Sequence, residues 1–218
     1  MDAYKETART WNKIAALYQE KFMGLDMYNT TYDLFCAAVG KAGARVLEIG
    51  CGPGNITRYL LQQRPDFQIT GIDIAPNMVS LAKKNVQEAT FMVKDCRSLQ
   101  PSDGCFDAIV CGFCLPYLQA ADGAQLLAVC SQLLPLGGVL YLSFVAGHSS
   151  LSGYKTSTDG DRVYFNYYEM ETLADMLHSN GFSLTQTIQV PFPRPTGTEE
   201  HTVLLAMKVA DAIPLQPV

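Results

Sequence analysis

Val46-Leu47-Glu48-Ile49-Gly50-Cys51-Gly52-Pro53-Gly54-Asn55 is the stretch that decides how this chain folds. A short apolar run, Val46 to Ile49, stops at Gly-x-Gly-x-Gly, and helical spacing at Ile56, Tyr59 and Leu60 follows. The reading is strand, glycine turn, helix. In an open parallel sheet, ligands bind beyond the carboxyl ends of the strands, where such a turn lies. Glycines allow the tight turn and the close approach of backbone to ligand. A dinucleotide fingerprint, Gly-x-Gly-x-x-Gly, would put glycine where Asn55 stands. A pyrophosphate cofactor such as NAD is therefore the weaker fit, and a plain tight turn is the bland alternative.

Outward from the turn, strand and helix signals alternate. Gln68 to Ile72 is a strand ending at Asp73, and Met78, Leu81 and Ala82 share a helical face. Thr90 to Val93 is a strand ending near Asp95, Phe106 to Cys111 a continuous apolar run, and Leu126, Cys130 and Leu133 another helix. Gly137-Gly138 leads into a fifth strand, Val139 to Phe144. Such alternation specifies a parallel sheet with helices on both faces. The tail departs from it. After a polar stretch at 147–162, Asn166-x-x-Glu169 reads as a capping box before a helix that stops at Gly181. Phe182 to Val190 and Thr202 to Val209 then form two strands with no helix between them, which makes them antiparallel. Residues 1–40 read as helical, with Trp11, Ile14, Tyr18 and Phe22 three or four apart, followed by Tyr28, Tyr32, Phe35 and Val39.

The chain has 218 residues, 48% hydrophobic and 17% charged, enough for one domain with a sizeable core and incompatible with a disordered chain. A single domain over 1–218 is expected: a helical cap at 1–40, a core at 45–144 and a substrate-side segment at 145–218. The net charge of −5 disfavours nucleic acid as a partner. The N-terminus lacks a signal-peptide pattern, and the longest apolar run, Ala108 to Leu118, is too short to span a membrane. A cytoplasmic protein with its seven cysteines reduced is the expectation. Cys111-Gly112-Phe113-Cys114 falls at a strand end, so a redox or zinc role is not expected of it, and no metal site is.

Two acidic residues end strands beside the turn. Asp73 lies 19 residues after Gly54, where a carboxylate can accept both hydroxyls of a ribose. Asp95 can meet the amino group of a purine. Either could also be a solvated strand end.

In this order, Glu-x-Gly-x-Gly-x-Gly, Asp73, Asp95, Phe106-Asp107-x-Ile109-Val110 and Leu-x-x-Gly-Gly-x-Leu resemble the class I S-adenosylmethionine-dependent methyltransferases. The resemblance covers about residues 45–144 and, by topology, the final strand pair. It implies an α/β, Rossmann-like, doubly wound seven-stranded sheet in the order 3-2-1-4-5-7-6, strand 7 antiparallel. It also implies S-adenosyl-L-methionine as cofactor. Glu48, Gly50, Cys51 and Gly52 would line the methionine moiety, and Asp73 would hold the ribose. Ile74 and Met78 would pack on the adenine, with Asp95 and the Cys96 amide at its polar edge. Cys111 would lie beside the methyl donor, and Tyr18 over the cofactor.

The expected acceptor is a small molecule under an aromatic roof: Tyr4, Trp11, Tyr117, Tyr154 and Tyr164, with His148 at the mouth. His178 and His201, the other two histidines, are weaker candidates. The histidine pair that many small-molecule relatives carry after strand four is replaced by Leu115-Pro116-Tyr117, and the Asn-Pro-Pro-Tyr signature of amide N-methylation is missing. No general base is named, and the attacking atom and the oligomeric state are left open. The rival readings are a non-catalytic cofactor-binding module, an RNA or protein methyltransferase, and an NAD-dependent oxidoreductase.

Overall fold

A computed structural model describes residues 3–157, 159–194 and 197–211. The N-terminal segment forms three helices, α1 (Ala3–Lys13), α2 (Ala15–Phe22) and α3 (Asn29–Ala38). Alternation then runs as the sequence specifies: β1 (Arg45–Ile49), α4 (Asn55–Gln63), β2 (Gln68–Asp73), α5 (Pro76–Asn85), β3 (Thr90–Val93), β4 (Ala108–Gly112), α6 (Ala120–Leu133) and β5 (Val139–Val145). Pro76 opens α5 at a position whose missing N–H has no intrahelical partner anyway. After β5 come β6 (Gly153–Thr156), β7 (Arg162–Phe165), α7 (Met170–Ser179), β8 (Phe182–Arg194) and β9 (Gly197–Lys208).

Seven strands make one sheet in the order β3-β2-β1-β4-β5-β9-β8. The first five are parallel, and β9 runs antiparallel to both β5 and β8. This is the expected 3-2-1-4-5-7-6 order once the separate β6–β7 hairpin is set aside. Both faces of the central strands are covered, which explains their unbroken apolar runs. One apolar cluster unites Leu47, Ile109, Leu127, Leu133, Leu173 and Leu177 under α6 and α7. A second joins Phe35, Val46, Leu60, Val110 and Tyr141 under α3 and α4. Truncating a fully buried leucine such as Leu127 to alanine would cost about 2–5 kcal/mol.

The structure departs from the sequence reading in three places. The polar stretch at 147–162, to which the sequence reading assigns no element, contains β6 and the start of β7. Asn166 is no capping residue: α7 starts at Met170, and the Asn166 side chain is buried, donating to the Leu118 carbonyl oxygen. The last two strands are longer than expected, because the proline-rich connection is part of their arms: Pro191 and Pro193 lie within β8. As the edge strand, β8 can hold prolines whose missing N–H faces away from β9.

Register sets the site. Glu48 pairs with Gly71 and Val110, and Ile49 with Ile72 and Cys111. Asp73 therefore extends one residue past the tip of β1, at the end of the sheet where the glycine turn opens.

Candidate functional site

The glycine turn is conformationally committed. Gly50, Gly52 and Gly54 have φ of 74°, 52° and 86°, the left-handed region that L side chains avoid. A Cβ on Gly50 would lie 2.9 Å from the Cys114 Cβ. Every available amide of the turn is engaged inside the protein. The N–H groups of Gly50 and Cys51 donate to the Ile72 carbonyl at 2.8 and 3.0 Å, and that of Gly54 to Cys51 at 3.0 Å. The Gly52 N–H donates to Asp73 at 3.0 Å, and the other Asp73 oxygen accepts from Ala75 N–H at 2.8 Å. Phosphate-binding turns present their N–H groups to the ligand. This one has no free N–H to offer, which suits a ligand without phosphates.

Two acidic side chains, Glu48 and Asp73, lie beside the turn. Glu48 is completely buried; one oxygen accepts from the Thr57 hydroxyl, and the other has no partner. Burial pushes its carboxyl up to about 8, despite the hydrogen bond from Thr57. Burial also raises Asp73, against the pull of the backbone donors at Ala75 and Gly52. A ligand bearing positive charge would relieve both groups.

A cavity of about 840 Å³, counting its open mouth, lies over these strand tips. Its lining includes Gly50, Gly52, Asp73, Ile74, Met78, Lys94 and Cys96 from the strand tips, together with Tyr4, Thr7, Ala8, Trp11, Tyr18, Phe113, Cys114, Tyr117 and Leu118. A Cβ on Gly52 would lie 3.6 Å from the Tyr18 ring, which meets Trp11 edge-on at 5.5 Å; Trp11 in turn meets Tyr117 at 5.2 Å. Burial, then the charges of Asp73 and Glu48, push Tyr18 up to about 12. The α1–α2 cap is tied to the turn through Asn85, whose amide donates to both Gln19 and the Pro53 carbonyl.

Of the expected site residues, Gly50, Gly52, Asp73, Ile74, Met78, Cys96, Tyr18, Tyr4, Trp11 and Tyr117 thus meet around one cavity. Glu48 lies in the interior at the tip of β1. Others lie elsewhere. The Cys51 side chain turns into the cluster of Val79, Ala82, Val86 and Phe91. Cys111 is fully buried in the core, because β4 is covered on both faces, and Gly112, Phe113 and Cys114 form the wall in its place. Asp95 is bound by Arg97, whose backbone N–H and guanidinium both donate to it. Burial alone would raise Asp95, but the Arg97 hydrogen bonds win and hold it below its ordinary range. His148 is an exposed surface side chain paired with Ser150 and 3.6 Å from Glu169. Tyr154 and Tyr164 pack against each other on the β6–β7 hairpin, outside the cavity wall. His201 is buried, with one ring nitrogen 2.5 Å from the Tyr28 hydroxyl and the other 2.9 Å from Glu199; burial lowers its pKa.

Sequence reasoning missed Lys94, Phe113 and Cys114. Phe113 has φ of 51°, a strained backbone for an aromatic residue, and no sequence signal announces it. Lys94 is paired with Asp103. Among the described residues, no cluster of three or more His, Cys, Asp or Glu could hold a metal, and no helix is long and apolar enough to cross a membrane.

Comparison with known proteins agrees with this geometry. Residues 46–138 match the family model described as a methyltransferase domain. The ubiquinone biosynthesis O-methyltransferase of Xanthomonas campestris pv. campestris (strain B100) is 35% identical over 118 residues, 51% of this chain and 47% of that protein. The chain thus aligns with about half the length of the curated relatives it matches. Among solved structures, DhpI in complex with SAH superposes with a TM-score of 0.74 at 18% identity, over 95% of this chain and 97% of that one. Magnesium protoporphyrin IX methyltransferase (ChlM) from Synechocystis PCC 6803 with bound SAM gives 0.72 at 20%, over 95% and 98%. These two share the fold. Residues 46–138 of this chain thus resemble a methyltransferase domain, and the chain as a whole shares the fold of these two structures.

Proposed function

We propose that this chain binds S-adenosyl-L-methionine across the strand tips and transfers its methyl group to a small-molecule acceptor by in-line displacement. The observation that carries the reading is the polarity of the cradle: a glycine turn with its amides engaged, flanked by Asp73 and a buried Glu48 with an unpartnered oxygen. That arrangement repels phosphates and fits a cofactor with an ammonium tail, a sulfonium and a ribose. It also disfavours the NAD-dependent alternative on electrostatic grounds.

In this reading the carbonyls of the turn and Glu48 hold the ammonium group, and Asp73 accepts from the ribose hydroxyls. Ile74 and Met78 pack on the adenine. When bound, the cofactor supplies an electrophilic methyl group on a sulfonium, already activated for transfer. The protein then has to align the acceptor at contact distance and exclude water, and positioning of this kind can be worth roughly 7–11 kcal/mol. Trp11, Phe113, Tyr117 and Leu118 form an apolar wall suited to a compact organic acceptor.

The cavity wall carries no histidine and, besides Asp73, no carboxylate among the described residues. Tyr18 is pushed up to about 12, and burial drives Tyr117 higher still, so neither removes a proton readily at neutral pH. This favours an acceptor whose nucleophile is already free of its proton: a carboxylate, a thiolate or an amine. The same observation favours a second reading, a cofactor-binding module without turnover.

Two measurements test the proposal. Titration calorimetry with S-adenosylhomocysteine is expected to show saturable binding, and no heat at millimolar ligand overturns it. Mass-spectrometric detection of methylated products from a panel of carboxylates, thiols, amines and phenols distinguishes an enzyme from a silent module.

A further inference from the structure

Cys96 and Cys114 approach each other at the cavity wall, their Sγ atoms 4.0 Å apart. They are 18 residues apart in sequence and come from the ends of different strands. Neither is locked in the sheet: Cys96 opens the single helical turn Cys96–Ser98, and Cys114 directly precedes the turn Leu115–Tyr117. Both are partly exposed, whereas Cys36, Cys51, Cys111 and Cys130 are buried and Cys105 lies alone on the surface. A disulfide has a sulfur–sulfur bond of about 2.05 Å, so closure asks for roughly 2 Å of approach shared between two turns.

We propose that Cys96 and Cys114 are an oxidation site that closes to a reversible disulfide and, when closed, shuts out the cofactor. The oxidant is a peroxide small enough to enter the cavity. One thiol, as thiolate, attacks a peroxide oxygen, the O–O bond breaks, and a sulfenic acid and water form. The second thiol displaces the sulfenic hydroxyl as a second water. Two thiols and one hydrogen peroxide thus give one disulfide and two waters, with sulfur oxidised and peroxide oxygen reduced. A dithiol reductant reverses the step by exchange.

The consequence for binding rests on the functional reading above. Cys114 stands directly over Gly50, and Cys96 follows Asp95 at the tip of β3. Drawing the two sulfurs together shifts the part of the lining that both residues contribute beside the space assigned to the cofactor. Occupied, that space would in turn shield the thiols. The hydrogen bond to Cys114, together with burial, holds the Cys96 thiol well above its usual range, so the pair reacts slowly and ignores traces of oxidant. Cys114 has a second thiol neighbour, Cys111, which is fully buried in β4 and faces no solvent.

The test treats the full chain with hydrogen peroxide, alkylates the remaining thiols and maps the peptides by mass spectrometry. The expected product is a Cys96–Cys114 crosslink, absent in Cys96→Ser and in Cys114→Ser and slowed by S-adenosylhomocysteine. A Cys111–Cys114 crosslink, or separate sulfinic acids without a crosslink, overturns the proposal. Calorimetry on the crosslinked protein is expected to give affinity for S-adenosylhomocysteine at least tenfold weaker, restored by dithiothreitol. Unchanged affinity overturns the gating. Failure of the reduced protein to bind S-adenosylhomocysteine would refute the functional reading instead, while the peptide map still judges the crosslink.

Discussion

The floor and the roof of the cavity are built by different physics. The floor is made while the sheet forms: the turn after β1 hangs on the Ile72 carbonyl, and Asp73 is fixed by two backbone donors at the tip of β2. The roof, α1 with the β6–β7 hairpin, is fastened by side chains from distant sequence. Thr10 donates to the Arg162 carbonyl at 2.7 Å, and the Tyr164 N–H donates to Thr7 at 3.0 Å. Glu6 pairs with Arg162, and Lys13 with Asp161, at exposed positions. The Tyr4 hydroxyl bonds Asp122 and accepts from the Gln119 N–H at 2.8 Å, with Arg97 stacked 3.7 Å over its ring. The floor is thus set by backbone register, and the roof by side-chain contacts between segments distant in sequence. The floor can therefore supply affinity, while the roof governs access and fit.

Substitutions should divide along that line, and the largest effect belongs to Glu48. Its pKa rises from 4.5 to about 8 on folding, so the native state retains a proton that the unfolded chain releases. The sign follows: this contribution to stability is intact below pH 4.5, is lost as pH rises through 8, and is constant above that. Glu48→Gln should leave stability at pH 4 nearly unchanged and raise it by on the order of a few kcal/mol at pH 9. Thermal melts of both proteins across pH check this, and parallel curves would refute it.

Gly50→Ala comes next. It forces a side chain into the left-handed region and against Cys114, and should cost about 2 kcal/mol of stability together with cofactor binding. Denaturant melts and calorimetry report the two losses, and an alanine variant that binds as wild type would mean the floor is not preformed. Asp73→Ala should weaken S-adenosylhomocysteine by at least tenfold, about 1.4 kcal/mol, and equal affinity would remove the ribose contact from the scheme. The smallest change is expected in the roof. Tyr4→Phe removes the hydroxyl's bonds to Asp122 and Gln119 and should cost about 1 kcal/mol. It should raise the acceptor KM more than the cofactor Kd. An equal effect on both would erase the distinction between floor and roof.

The same division explains what could be read in advance. The floor was legible because its signals are local: an apolar run, a glycine turn and an acid at fixed spacing. The final strand pair was legible because no helix separates its members. The roof was not. β6 and β7 lack an apolar alternation and are held by α1, more than 100 residues away in sequence. Asn166 carries a helix-cap pattern, yet its amide is taken by the Leu118 carbonyl, a tertiary contact that no local window contains. Cys111 was placed one step too early, because a strand covered on both faces gives no parity to tell where the chain emerges. Asp95 was claimed by a neighbour two residues on, a pairing that leaves no periodic trace.

The prolines in β8 bear on behaviour at high concentration. An outermost strand normally offers a row of unused donors and acceptors on which a second molecule can continue the ladder. Pro191 and Pro193 interrupt that row at two alternate positions, so an incoming strand finds donors missing where it would have to bond. This margin of the sheet is thereby made a poor seed for fibrous self-association, without any charge having to be placed on the molecule's surface.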